Sequence, residues 1–186
     1  LQTISKIFTP LVPAIAASGL IKGLLSVAIR LGWISDTNST YILLNTASNI
    51  IFYYMPIFLA YTSAKALKCS KINAMVLGAF LCHPVIDALI QDVSTVNTIF
   101  GLPVIKKAFT IGEATKVFSY TESVIPIILA VIVLHYLEKF LKKWIPDMLE
   151  IILVPGLSLI IMVPVLLVVV GPVGIYVGYA IQWLYQ

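Results

Sequence analysis

Residues 45–84 read NTASNIIFYYMPIFLAYTSAKALKCSKINAMVLGAFLCHP, two long apolar segments joined by a short lysine-rich turn. A bilayer core about 30 Å thick is crossed by roughly 20 apolar residues rising 1.5 Å each, and each arm is close to that length. The turn carries Lys65, Lys68 and Lys71 and no acid. Basic residues in short loops stay on the cytoplasmic side. The stretch therefore predicts a membrane hairpin with its turn in the cytoplasm, and the remaining chain can be threaded from it.

Composition agrees. Of 186 residues, 60% are hydrophobic and 11% charged, with a mean hydropathy of +1.04, whereas soluble domains carry about 25% charged residues. The net charge of +4 does not point to nucleic acid, because the lysines lie in connections between apolar runs and form no basic face with aromatic platforms. Cys69 and Cys82 are about 13 residues apart, roughly 20 Å along a helix, which is outside disulfide reach. No secretory signal with a small-residue cleavage site opens the chain. It begins at Leu1 and stops at Gln186, in or just after a hydrophobic run, so a piece of a longer protein is expected.

Working outward, span one is predicted from about Ile7 to Trp33. Ser18, Lys22, Ser26 and Arg30 recur at every fourth position beside Gly19 and Gly23, a stripe that should face protein or water. Span two runs from about Tyr41 to Ala64 and is broken near its middle by Pro56; span three runs from about Asn73 to Ile90. Residues 91–119 form a more polar external excursion with no assigned structure. Span four, about Tyr120 to Leu137, opens on Ser119 and Glu122 in capping-box spacing. It ends in the basic segment Lys139, Lys142 and Lys143. Span five covers about Ile151 to Val170, and a further helix begins after GPVG at 171–174. This threading puts Lys6 and the six turn lysines inside and Lys106, Lys107 and Lys116 outside, which predicts a cytoplasmic N-terminus. The fold class is all-α: a polytopic transmembrane bundle of about five spans plus the start of a sixth.

Polar groups inside a membrane are costly and become functional candidates for that reason. Lys22 either lines a solute path or pairs with an acid to hold helices together; the structural role is preferred, since a buried cation needs a partner in any case. Arg30 snorkels to the interface. His83 precedes Pro84 with Asp87 one turn on, within reach of a hydrogen bond. The pair serves either a proton or sugar contact or, by preference, a proline-induced helix break whose freed carbonyl must be satisfied. Glu122 has its capping role, and His135 sits near the cytoplasmic end of span four. P-loop, GxSxG, HExxH and CxxC motifs are absent, and no metal or cofactor is implied. Asn38-Ser39-Thr40 fits the glycosylation pattern, a weak match. Prolines in spans two to five and cations in span one are the interrupted helices that transporters place around a solute.

The ordered pieces FTPLVPAIAASGLIKGLL, LGWISD, YYMPIFLAYTSAKAL, GAFLCHP, FGLPV, SVIPIILAV, YLEKFLKKWIP, LVPGLSLIIMVP and GPVGIYVG resemble the membrane-embedded C domain of a phosphotransferase-system sugar permease. The similarity is to the glucose/sucrose/β-glucoside group, nearest its β-glucoside branch, and covers nearly the whole chain. It implies a multi-pass transporter of the bacterial inner membrane that hands an external sugar to a cytoplasmic B domain, whose phosphocysteine phosphorylates it at the expense of phosphoenolpyruvate. It further implies a homodimer in which the first five or so helices form a scaffold and dimer interface, while a second half carries the sugar site with a histidine and a Gly-Ile-Thr-Glu-Pro motif.

That motif is not in the chain, and Cys69 in ALKCSKIN lacks the Asn-Cys setting of the phosphocysteine. No catalytic or sugar-binding residue is therefore carried over; His83, Asp87 and Lys22 stay as the only candidates. Residues 1–186 read as a single scaffold and dimerisation region without the sugar-binding half or the B domain. Two alternatives remain, an integral membrane enzyme acting on lipids through His83, Asp87 and Glu122, and a helix-bundle adaptor with no transport role.

Overall fold

A computed structural model describes residues 2–91, 98–99, 102–103, 108–111, 114–117 and 124–170. The helices are α1 (Gln2–Phe8), α2 (Val12–Arg30), α3 (Ser39–Tyr53), α4 (Met55–Leu67), α5 (Lys71–Leu81), α6 (Pro84–Gln91), α7 (Val124–Trp144) and α8 (Asp147–Val165), the last continued by a π-helical turn over Leu166–Val170. Between α6 and α7 lie two antiparallel hairpins: β1 (Thr98–Ile99) with β2 (Leu102–Pro103), and β3 (Ala108–Ile111) with β4 (Ala114–Val117). The excursion that the sequence left unassigned thus contains short strands, a local departure from the helices that make up the other described elements.

Span one starts later than predicted. The chain turns between Phe8 and Val12, and Pro13 occupies the first turn of α2, where no intrahelical N–H is needed. α1 folds back so that Ile7 and Leu11 are buried in the core. At the far end Gly32 adopts φ +72°. Its N–H donates to the Ile29 carbonyl at 2.9 Å and that of Trp33 to Ala28 at 3.0 Å, closing α2 with a left-handed cap that glycine accommodates at no steric cost. The side chain of Asn38 caps α3 through the Thr40 N–H at 2.9 Å.

Pro56 breaks span two as expected. α3 and α4 meet at 43°. Ile57 N–H turns to the Tyr54 carbonyl, so the Tyr53 carbonyl loses its helical partner and accepts from the Cys82 thiol at 3.7 Å. α5 packs against this break. A Cβ on Gly78 would lie 2.7 Å from the Pro56 oxygen, so the close approach needs a residue without a side chain.

Span three is divided at Pro84, the proline-induced break that the sequence favours. It is two short helices, α5 of 11 residues and α6 of 8, because Pro84 cannot continue the helix that ends at Leu81. Span four begins at Val124 and runs on through Lys139, Lys142 and Lys143 to Trp144, since all three lysines are good helix formers. The Ser119–Glu122 capping box and the helix after GPVG lie outside the described residues.

The core is built by α1, α4, α5, α7 and α8, around Leu59, Leu77, Leu81, Ile127, Leu134 and Met162. The α2–α3 hairpin stands beside it with Leu20, Leu24 and Leu43 exposed. By length and composition α2, α7 and Met148–Val169 can each cross a membrane, and α3 and α4 pass the same test together as a pair bent by 43°. Their outward apolar surfaces suit lipid contact.

Candidate functional site

Of the three candidates from the sequence, His83 and Lys22 have described contacts, each with a different element. His83 sits at the α5–α6 break, exposed, where its Nδ1 accepts the Val85 N–H at 3.3 Å. It acts as the cap of α6 and satisfies one of the amides that every helix start leaves free. Asp87 lies on α6, and its side chain is outside the described residues. Lys22 is half-buried on α2 with its Nζ 5.6 Å from the centre of the Phe52 ring on α3. The partner that the sequence sought among acids is an aromatic face, a contact of about 0.5–2 kcal/mol. Phe52 also lines a cavity of about 530 Å³ at the α3–α4 bend, with Asn49, Tyr53 and Met55.

The polar centre among the described residues is at the other end of the bundle. In α7 the buried stripe Ile127, Ala130/Val131 and Leu134 is continued at helical spacing by Glu138, which is only 4% exposed. Its Oε2 accepts the backbone N–H of Ser70 at 2.9 Å, and its Oε1 accepts the Asn73 side-chain amide at 2.8 Å. Ser70 in turn caps α5 by accepting the Asn73 N–H. A carboxylate from α7 thus completes the N-terminus of α5, where its charge also favours the helix dipole. None of Glu138, Ser70 and Asn73 was singled out from the sequence. The readable signal was the position of Glu138 on the apolar stripe.

A cleft of about 480 Å³ opens beside this cluster, lined by Lys68, His135, Glu138, Lys139, Lys142 and Glu150 among others. Lys142 and Glu150 pair at 2.8 Å across the α7–α8 elbow. Cys69 lies in the same wall. Burial first, and then the Glu138 charge, push its thiol up to about 11. At neutral pH it is a protonated, poor nucleophile despite the surrounding lysines. The cleft joins the two lysine-rich connections, so both lie at one end of the bundle.

The family model described as "Phosphotransferase system, EIIC" matches residues 5–186. The chain belongs to this family. The EIIC chain is 36% identical to the β-glucoside-specific EIIBCA component of Halalkalibacterium halodurans, an alignment covering 100% of this chain and 30% of that protein. It is 33% identical to the sucrose-specific EIIBC component of Klebsiella pneumoniae, over 98% and 38%. It is 32% identical to the glucose-specific EIIBCA component of Corynebacterium glutamicum, over 100% and 27%. The chain spans about a third of the length of the curated relatives it matches. No solved structure matches it. As an EIIC domain it is an integral membrane protein, and nothing favours the lipid-enzyme reading, whose His83 is occupied as a helix cap.

Proposed function

We propose that the chain is the scaffold part of a permease that carries a sugar of the β-glucoside class across the bacterial inner membrane while a cytoplasmic B domain phosphorylates it. The observation that carries this reading is the family match over residues 5–186 together with a β-glucoside-specific relative aligned over the whole chain. Relatives whose names include B and A components supply the expected phosphoryl-transfer partner. The Cys69 thiol, held protonated at neutral pH, does not take that part itself.

In this reading the N-terminus is cytoplasmic, α5 and α6 together make the third of five spans, and a sixth begins after residue 170. The cleft end faces the cytoplasm. The candidate dimer surfaces are the glycine-rich face of α2, where Gly19 and Gly23 meet open space and Leu20 and Leu24 face outward, and the apolar faces of α7 and α8. Small residues let helices approach closely in lipid.

The test is complementation. A strain lacking its own β-glucoside permease, given the complete protein, should grow on a β-glucoside in a manner that depends on the phosphotransferase phosphocarriers. Growth that persists without those carriers would contradict the proposal. The scaffold assignment has its own test: this stretch alone should not bind a glucoside, and saturable micromolar binding would overturn it.

A further inference from the structure

The cleft at the lysine-rich end holds charges that the packing does not consume. Glu138 is committed to Ser70 and Asn73 and Glu150 to Lys142. Lys68 and Lys139 line the same cleft with no carboxylate partner among the described residues. Lys68 is also held at φ +58°, the one non-glycine residue with a positive φ among the described residues. It closes α4 in the left-handed conformation, where glycine is the low-cost residue. A side chain at a strained position needs a reason, and Lys68 lines the cleft.

The opposite wall is apolar and continues into open surface. Ile151, Val154 and Pro155 line the cleft, and Ile151 is 84% exposed beside exposed Met148 and Ile152. Phe140 and Trp144, with ring centres 6.0 Å apart and planes tilted by 39°, project from the end of α7 where interfacial aromatics belong. Ammonium groups above an apolar slope, at the end of membrane-crossing helices, match an amphiphile with a negative head better than a soluble anion.

We propose that this cleft holds the phosphate of an anionic phospholipid, with Lys68 and Lys139 on its oxygens and the acyl chains over Met148, Ile151 and Ile152. The bound lipid ties the α4–α5 turn to α7 and α8, beside the link that Glu138 makes from α7 to the start of α5. The inference depends on membrane embedding and not on the identity of the sugar.

The test is native mass spectrometry of the complete permease in neutral detergent, titrated with phosphatidylglycerol or phosphatidylcholine. The native protein should prefer phosphatidylglycerol by roughly thirtyfold, from two lysines near the membrane surface. K68Q/K139Q should lose that preference and K68R/K139R keep it. Lys68→Gly should weaken it while raising Tm, because glycine relieves the left-handed strain. Equal affinity for both lipids in the native protein, or an unchanged preference in K68Q/K139Q, overturns the proposal. Displacement of the lipid by millimolar inorganic phosphate would assign the cleft to a soluble anion and overturn the lipid. If K68Q/K139Q keeps the lipid preference but loses phosphoryl transfer from the B domain, the cleft belongs to that protein partner instead.

Discussion

The Glu138 carboxylate and the Asn73 side-chain amide meet at 2.8 Å across 65 residues of chain, deep in the end of the bundle that carries the lysines. This contact fixes α7 to the start of α5. Glu138→Ala leaves the Asn73 amide and the Ser70 N–H without their acceptor in a buried place, at a cost of about 1–3 kcal/mol. A double-mutant cycle with Asn73→Ala, read by unfolding in mixed detergent micelles, should give a coupling of about 0.5–3 kcal/mol. Strict additivity would remove the contact from the account.

A second prediction concerns the break in span two. Gly78→Ala drives a methyl to 2.7 Å from the Pro56 oxygen, and backbone on both sides leaves little room to yield. Overpacking of this kind costs about 1–3 kcal/mol. Gly19→Ala, on the open face of α2, should leave the stability of the single chain within about 0.5 kcal/mol. Thermal unfolding of both variants checks the contrast, and equal effects would mean that α5 does not rest on the break.

Much of this architecture was legible in residues 45–84 alone. Apolar length predicted the helices, Pro56 located the bend, and Lys65, Lys68 and Lys71 marked one end. The same reasoning favoured a break at Pro84, which divides span three into α5 and α6. It passed over Glu138 because EKFLKKW reads as a solvated basic segment. Only the register of Ile127, Val131, Leu134 and Glu138 on one face tells otherwise, and that depends on α7 running past Leu137. The strands between α6 and α7 escaped notice because each is two to four residues long, too short for alternation to register.

Cys69 supplies a pH-dependent readout. With its thiol raised from the usual 9.0 to about 11, alkylation in a Cys82→Ala background should be slow at pH 8 and accelerate with pH until about 11. Glu138→Gln removes the second cause of the shift and should speed the reaction at a fixed pH. The folded state holds this proton more tightly than the unfolded chain. Its contribution to stability is therefore complete below about 9 and is lost as pH rises through about 11. A thiol that reacts at pH 8 like a free cysteine would contradict the burial.

His83 should prove structural. His83→Ala removes the acceptor for the Val85 N–H and should destabilise the α6 start by about 0.5–1 kcal/mol, with sugar uptake by the complete permease retained. His83→Asn, another side chain that caps helices, should recover the loss. Abolished uptake in both variants, with the protein still folded, would return His83 to the transport path.

The central claim is that this chain frames a transporter whose sugar arrives phosphorylated. Right-side-out membrane vesicles bearing the complete permease and loaded with phosphoenolpyruvate and the soluble phosphocarriers test it most directly, with a radiolabelled β-glucoside outside and the internal product identified. The account predicts accumulation of the sugar phosphate and none when phosphoenolpyruvate is omitted. Accumulation of the free sugar, at the same rate with or without phosphoenolpyruvate, would contradict it.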